Sequence, residues 1–423
     1  MFKKLTLANG LRILTAPMQG TNTVTVFVMC GTGSDNEPRE VGGISHFLEH
    51  MFFKGTEKRP NHLAISQELD AMGSISNAFT THETTGYFIK AGAPYLNRGL
   101  DLLADIYKHS LLPETEIEKE KQVVIEEMHM RRDEPTSYIW QLWESLLWGD
   151  QPAGREVIGT EEVIRGLKQK DFQEYFSHQY VAENTAVVIA GNFDEQGGVA
   201  RVEELFGDIR TGKPRVKPSV AEAQTAPQFR GEKRTIDQSH LLVGFRGYDA
   251  FDPKRYAADV LGTILGGGWS SRMFVRIREE LGLAYTVFSA SENYSNRGYF
   301  LSYAGVTHDR IPATVQAILE EYRRIRETPV FSDELARTKD YIKGRMLMEL
   351  ETSNAVASHV GGEEMLTGKP LTTDEVFARI DQVTVADCTA VAEELFRPER
   401  LNAAILGPEP ETGDWGVILA DFR

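Results

Sequence analysis

The residues with the clearest chemical potential are His46, Glu49 and His50, in the segment His-Phe-Leu-Glu-His. On a helix, side chains four positions apart lie about 40° from one another around the axis, because each residue turns by about 100°. Two imidazoles so placed can bind one divalent ion, and the Glu49 carboxylate between them can act as a general base on an activated water. The alternative interpretation is an ordinary helix with two surface histidines.

A hydrolytic zinc site normally has three protein ligands and a water, so a third ligand is expected elsewhere in the chain. The charged helical run over residues 114–132 contains Glu120 and Glu127, seven positions apart and therefore on one face. Val123 and Val124 are expected on that same side, which is unusual for a solvated run of charges. Both glutamates are therefore candidates, and the alternative is an exposed charged helix.

The surrounding pattern predicts the elements that position these groups. Asn9-Gly10, flanked by alternating apolar residues, predicts a β-hairpin near the N-terminus. Apolar spacing predicts helices over 44–53, 62–72, 93–110 and 114–132, and strands over 24–29, 84–93, 184–191, 240–247 and 401–406. Because helices and strands do not alternate strictly and the hairpin is antiparallel, the fold class is predicted to be α+β.

The second half of the chain repeats the order of elements in the first. The tripeptide Gly-Tyr-Phe at 86–88 recurs at 298–300, and the distance between the two copies defines the offset of the repeat. We therefore expect two homologous domains, 1–210 and 234–423, each an antiparallel sheet packed against helices. A linker, 211–233, contains three prolines and little apolar periodicity. The alternative is two unrelated α+β halves.

The repeat also predicts that only the first domain binds metal. At the offset of the repeat, the positions that correspond to the histidine motif are Ala258, Leu261 and Gly262, none of which can be a zinc ligand. Glu127 corresponds at the same offset to Lys339, or one helical turn further on to Lys343, and both are cationic. The second domain is therefore predicted to lack the site.

Composition excludes several classes of function. The chain has 423 residues, of which 41% are hydrophobic and 26% charged, as in soluble globular proteins. A net charge of −16 disfavours nucleic acid and anionic membranes as partners, and no apolar run is long enough to span a bilayer. Cys30 and Cys388 alone cannot supply a disulfide framework or a cysteine metal site. We expect a cytoplasmic protein that holds its metal with histidines and carboxylates.

The segment GGISHFLEHMFFKGT, residues 42–56, resembles the signature of inverzincin metallopeptidases of the pitrilysin and insulinase type. The nearest branch contains the mitochondrial processing peptidases. The resemblance implies a glutamate as third zinc ligand, in a later helix that also carries a supporting glutamate seven positions earlier. The family spacing from the second histidine fits Glu127 and its rival Glu126, and the pairing with Glu120 selects Glu127.

The same resemblance implies where substrate binds. Asn77 and Ala78 match a family segment that lies along the bound peptide backbone. Arg278 and Tyr285, seven positions apart, match residues that bind the substrate carbonyl, and both are suitable donors to an oxyanion. Without the resemblance, Arg278 would be interpreted as a surface helix residue and Tyr285 as a core strand residue.

The resemblance implies a zinc-dependent endopeptidase with one Zn²⁺ per chain, which hydrolyses unfolded peptides inside a chamber. Longer relatives form this chamber from four domains in one chain, so a homodimer is expected here, with Arg278 and Tyr285 of one chain facing the zinc of the other. The alternatives are a non-catalytic scaffold of the same fold, a peptide-binding subunit with structural zinc, and pairing with a different subunit. The negative charge suits basic peptides, or serves only solubility.

Overall fold

Two β-sheets form, one from each half of the chain, in the computed structural model, which describes residues 2–328, 330–410 and 413–422. The strands of the first sheet are β1 (Lys3–Thr6), β2 (Arg12–Pro17), β3 (Thr23–Cys30), β4 (Ile75–Thr80), β5 (Thr85–Gly92) and β6 (Thr185–Gly191). Those of the second are β7 (Gln228–Lys233), β8 (Ser239–Arg246), β9 (Ala284–Asn293), β10 (Gly298–Val306) and β11 (Leu401–Gly407).

Helices connect and cover these strands. In the first half they are α1 (Ile44–Met51), α2 (His62–Asp70), α3 (Leu96–His109), α4 (Glu114–Asp133), α5 (Pro135–Trp148), α6 (Glu161–Gly166), α7 (Gln169–Gln179) and α8 (Glu195–Phe206). In the second half they are α9 (Arg255–Gly266), α10 (Ile311–Glu327), α11 (Ser332–Glu349), α12 (Ser353–Thr367), α13 (Thr373–Gln382), α14 (Val385–Leu395) and α15 (Trp415–Ala420). None of the helices in the described part of the chain has both the length and the apolar character needed to cross a bilayer.

Apart from the additional edge strand β1, the two sheets have the same topology. The first has the order β1-β2-β6-β3-β5-β4 and the second β7-β11-β8-β10-β9, so each strand from β2 to β6 has a counterpart from β7 to β11. Corresponding pairs also run in the same relative directions. The predicted α+β class and the repeat are confirmed.

Each sheet differs from the prediction in one pair of strands. We expected antiparallel sheets, but β2–β6 and β7–β11 are parallel. The closing strand of each half inserts between the first two long strands and pairs antiparallel with the second of them. Since the first two long strands run in opposite directions, the closing strand runs parallel to the first of them. Tertiary packing decides where this strand inserts, and the local sequence pattern does not.

The predicted hairpin at Asn9-Gly10 is confirmed. Strands β1 and β2 pair antiparallel, with Thr6 opposite Arg12. Gly10 has a φ of 93°, in the left-handed region that favours glycine, and its N–H donates to the Leu7 carbonyl at 2.9 Å. The turn therefore determines the register of the first pair.

The chain forms two compact units that are not consecutive stretches of sequence. One contains the residues up to His129 together with Glu156–Pro218 and Leu347–Thr373, and the other contains the rest. Helix α12 thus belongs to the first unit, where it packs on β3 and β6, and α5 belongs to the second, where it packs on β8 and β11. The domain boundaries at residues 210 and 234 remain a prediction. That prediction does not include the placement of α12 in the first unit and of α5 in the second. Strand β7 begins inside the predicted linker, at Gln228.

In the first unit the sheet is covered on both faces. Val24, Val26 and Val28 of β3 join the core formed with α1 and α3. The alternate residues, Phe27 and Met29, face the other side and pack in the cluster that includes α12. Burial on both faces explains the continuous apolar sequence of the central strand β6, and it places α1 firmly against one side of the sheet.

Candidate metal centre

Helix α1 begins at a turn that only glycine fits. Gly43 precedes the helix with a φ of 92°, and a Cβ added there would lie 2.4 Å from the carbonyl oxygen of Ile158. The buried Glu37 carboxylate accepts the backbone N–H of Gly43 at 2.6 Å and that of Ser45 at 2.8 Å, so it caps the start of the helix. The first turn, which carries His46, is therefore positioned both by the close approach of Gly43 to Ile158 and by the hydrogen bonds to Glu37.

The two histidines of α1 converge on one carboxylate. The His46 and His50 ring centroids are 4.8 Å apart, and His46 is only 3% exposed. Its Nε2 lies 3.3 Å from Oε1 of Glu127, and Nε2 of His50 lies 3.4 Å from Oε2 of the same residue. One ligand atom from each of the three residues lies within 4.8 Å of the other two.

Helix α4 supplies Glu127 rather than its neighbour. Glu126 is exposed and accepts a hydrogen bond from the side chain of Gln122 at 2.7 Å. The expectation that Val123 and Val124 share the inner face is wrong, because Val124 is buried while Val123 is 49% exposed. The buried face of α4 at this point contains Val124 and Ile125, and Val123, about 100° from Val124 around the axis, lies outside it.

Glu120 contacts His50 on the ring nitrogen that faces away from Glu127. Its Oε1 lies 2.9 Å from Nδ1 of His50, and its Oε2 lies 2.5 Å from Nζ of Lys54. Burial opposes its charge, but the hydrogen bonds from His50 and Lys54 hold the pKa of Glu120 below its usual range. When Nδ1–H donates to Glu120, the tautomer leaves Nε2 free as a ligand. Helical spacing predicts Glu120, whereas no local pattern singles out Lys54.

Without a metal ion, the two glutamates also determine the charge of His50. Burial alone would lower its pKa, but hydrogen bonds and charge from Glu120 and Glu127 raise the pKa of His50 to about 9. An environment that favours a cationic imidazole also favours a bound metal cation. On His46, by contrast, Nδ1 is buried without a hydrogen-bond partner among the described residues.

The Glu49 carboxylate is held by β4. The hydroxyl of Thr80, the last residue of that strand, donates to Oε2 of Glu49 at 2.6 Å. This contact joins two elements 31 positions apart in the chain. Thr80 was not predicted as a site residue, although it lies two positions after Ala78, which the resemblance places along the bound peptide.

A cleft of about 480 Å³ lies beside these residues in the first unit. It is lined by α1 and the turn after it, by α2 and by β4, and the lining residues are Glu49, His50, Phe53, Lys54, His62, Ile65, Ser66, Leu69, Asp70, Ser74, Ser76, Asn77, Ala78 and Glu120. Strand β4 is the edge strand of its sheet: β5 pairs with one of its edges, and none of the strands that the structure describes pairs with the other. Asn77 and Ala78 therefore lie together where an open strand edge meets the metal centre.

Arg278 and Tyr285 belong to the second unit, and they contact each other there. The Arg278 guanidinium carbon lies 4.7 Å from the centroid of the Tyr285 ring and 4.7 Å from that of Phe274. Tyr285 is 74% exposed, so the expectation of a core tyrosine, formed without the resemblance, is wrong. Arg278 is half-buried, and its Nε also lies 3.6 Å from Oε1 of Glu279, so the exposed Tyr285 ring rests on a partly covered guanidinium.

The three convergent residues fit a zinc ion. Two imidazole nitrogens and one carboxylate oxygen are donors that Zn²⁺ prefers, and three protein ligands leave one position for water or substrate. The Glu127 carboxylate lies close to both imidazoles, so the three ligand atoms can reach one ion. His46, His50 and Glu127 are therefore the residues that would hold the metal.

Two family models match the chain. The model described as Insulinase (Peptidase family M16) matches residues 12–161, and that described as Peptidase M16 inactive domain matches residues 166–342. A protein of Bacillus subtilis named as an uncharacterized zinc protease is 34% identical over 410 residues, which are 96% of this chain and 98% of the relative. The match of the second half to an inactive domain agrees with the absence of metal ligands at its repeat positions.

Solved structures show the same fold. The crystal structure of a protease from Helicobacter pylori has a TM-score of 0.89 at 24% identity, covering 96% of this chain and 99% of that one. A chain of complex III2 from Candida albicans has a TM-score of 0.86 at 20% identity, covering 99% and 98%. Fold, site and relatives together define the class of the protein as a two-domain metallopeptidase. The chain belongs to peptidase family M16, the insulinase family.

Proposed function

We propose that this protein is a zinc-dependent endopeptidase that hydrolyses unfolded peptides. The observation that carries the proposal is the convergence of His46, His50 and Glu127 beside the Glu49 carboxylate. The second support is the cleft that opens along the same residues toward the edge strand β4. One chain supplies all three ligands, which implies one Zn²⁺ per chain.

The proposed mechanism assigns each step to a residue of the chain. Zinc held by His46, His50 and Glu127 would acidify a water and polarise the substrate carbonyl. Glu49 accepts the proton of that water and returns it to the leaving amine, while the Thr80 hydroxyl holds its carboxylate in position. Arg278 and Tyr285 donate to the oxyanion.

The substrate is an extended peptide that pairs with β4. An exposed strand edge binds a peptide through backbone hydrogen bonds, which requires the substrate to be unfolded locally. Asn77 and Ala78 lie on that strand, and the cleft beside it has room for a substrate side chain. A folded protein cannot offer such a strand and should resist cleavage.

Replacement of Glu49 by Gln tests the mechanism. The variant keeps the metal ligands but has no base, so we expect stoichiometric zinc and a loss of at least about 100-fold in turnover of a quenched peptide. Glu126→Gln, on the exposed face of α4, is the matched control and should retain activity. Chelation should abolish the activity of the unmodified protein. Normal turnover by zinc-loaded Glu49→Gln would refute the mechanism, and zinc binding without turnover by the unmodified protein would favour the peptide-binding alternative.

We further propose that the working form is a homodimer in the cytoplasm, with Arg278 and Tyr285 of one chain completing the site of the other. The implied chamber needs four domains, and this chain has two. The buried thiols of Cys30 and Cys388, which are not joined in a disulfide, suit a reducing compartment.

Mixing two inactive variants tests this arrangement. Glu49→Gln lacks the base and Tyr285→Phe lacks an oxyanion donor, so each homodimer should be impaired. If the site is shared between chains, a mixed dimer contains one intact site, and activity should return after subunit exchange. If each chain completes its own site, mixing restores nothing and the shared arrangement is refuted. The mass of the purified particle is measured in parallel.

A further inference from the structure

Lys54 lies behind the metal centre, on the turn that follows α1. Its backbone N–H donates to the carbonyl of Met51 at 3.1 Å, so the turn continues the last turn of the helix. Its side chain is half-buried, and Nζ lies 2.5 Å from Oε2 of Glu120. The ammonium group thereby links the end of α1 to the middle of α4.

The buried carboxylate of Glu120 has a different partner for each of its oxygens. Oε1 faces Nδ1 of His50, and Oε2 faces Lys54. A buried carboxylate with one oxygen unpaired carries a large desolvation cost, which it can relieve by rotating toward another donor. Rotation would move Oε1 away from His50 and release the orientation of the imidazole.

We propose that Lys54 is a positioning residue that acts through Glu120 to hold the His50 imidazole in its metal-binding orientation. The role rests on the proposed function, because it assumes that His50 is a zinc ligand. Second-layer contacts of this kind typically change metal affinity or activity by about 10–100-fold. Lys54 also lines the cleft, but its charge is engaged by Glu120 rather than left for a substrate side chain.

The charge of Lys54 and its positioning role predict opposite changes in zinc affinity when Lys54 is removed. Lys54 is a cation close to the site of a dication, so its removal should strengthen zinc binding if electrostatic repulsion were the main term. If orientation of His50 dominates, its removal should weaken binding. The sign of the change in affinity therefore separates a positioning role from a purely electrostatic one.

The experiment measures zinc affinity by competition with a chromophoric chelator for the full chain and its variants. We expect Lys54→Met to bind Zn²⁺ about 10–100-fold more weakly, and Lys54→Arg, which keeps a donor and the charge, to stay close to the unmodified protein. Lys58→Met is the matched control, since Lys58 contacts Asp101 away from the site. Glu120→Gln combined with Lys54→Met should be no weaker than Glu120→Gln alone, because both act through one contact.

Turnover at saturating zinc provides a second measurement. Lys54 acts on the metal ligand and not on substrate, so Lys54→Met should lower kcat and leave KM within about twofold. Equal or tighter zinc binding by a folded Lys54→Met would overturn the inference and leave the proposed function intact. If Lys54→Met does not fold, either of two other results would overturn the inference. The first is weak zinc binding by Lys54→Arg. The second is that Lys54→Gln and Glu120→Gln weaken zinc binding additively when they are combined in one variant. Failure of the unmodified protein to bind zinc would instead overturn the proposed function, and this role with it.

Discussion

The reactive groups of α1 are oriented by residues that lie elsewhere in the chain. His50 is backed by Glu120, and Glu49 is held by the Thr80 hydroxyl. Residue type and helical spacing were sufficient to identify His46, Glu49 and His50 as one face of a helix. They could not identify Thr80, since a hydroxyl 31 positions away has no spacing relation to the motif.

Thr80→Val should lower turnover without removing the metal. The substitution conserves shape but removes the donor to Oε2 of Glu49, and a hydrogen bond to a charged group contributes about 1.5–3 kcal/mol. We expect kcat to fall about tenfold or more and zinc content to stay unchanged, as measured by quenched-peptide assay and metal analysis. Thr80→Ser, which keeps the hydroxyl, should recover most of the activity. Equal activity of the valine variant would show that Glu49 needs no such support.

At the scale of elements, the start of α1 decides where its histidines point. Gly43 provides the left-handed turn, and the Glu37 carboxylate binds the two backbone N–H groups there. Burial raises the pKa of Glu37 to about 7, although these hydrogen bonds favour its charged form. The cap is therefore a buried acid that titrates near neutral pH.

Glu37 makes the stability of the protein depend on pH. Because its folded pKa of about 7 exceeds the unfolded value of about 4.3, the folded protein binds more protons in this interval, and stability falls as the pH rises through it. Glu37→Gln cannot titrate. Between pH 5 and pH 8, we expect the free energy of unfolding of the unmodified protein to fall relative to that of Glu37→Gln by about 3 kcal/mol.

Urea unfolding of the metal-free proteins at both pH values measures this difference. The control is Glu40→Gln, three positions along and exposed, which should follow the unmodified protein. A difference between the unmodified protein and Glu37→Gln that stays constant with pH would contradict the assignment of the titration to Glu37.

At the scale of the whole molecule, the first unit depends on a helix from the second half of the sequence. Helix α12 covers β3 and β6, and Gly361 lets the two approach closely, because an added Cβ would lie 2.4 Å from Sδ of Met29 and displace that side chain. The fully buried side chain of Glu364 lies 2.8 Å from Lys4 and 3.3 Å from Arg12. The apolar packing and this ion-pair cluster hold the helix on the sheet.

Glu364→Ala should therefore destabilise the first unit, although it lies near the other end of the chain. The side chains of Lys4 and Arg12 are 32% and 19% exposed and stay partly hydrated, so losing the buried Glu364 carboxylate costs less than breaking a fully buried pair, about 1–3 kcal/mol. Amide hydrogen exchange should accelerate in β3 and β6, as measured by mass spectrometry of peptic fragments. Glu351→Ala, just before α12 and exposed, is the control. Unchanged protection of β3 and β6 would show that α12 does not stabilise that sheet.

The sequence by itself determined the types of the elements, the N-terminal turn, the repeat, and the histidine motif with its candidate glutamates. These follow from local geometry, since helical spacing, strand alternation and the demands of a tight turn are properties of short segments. The resemblance selected Glu127 over Glu126, and the side on which each lies on α4 follows from the packing of that helix.

Only the tertiary structure decided which strand inserts where, which sheet each helix covers, and which remote side chains orient the site. An apolar face on α5 or α12 states that the helix is buried, but it does not specify the surface that buries it. The same holds for Lys54, because an ammonium group in a turn acquires its role only when α4 brings Glu120 within 2.5 Å. Such pairings depend on long-range packing, which no local pattern encodes.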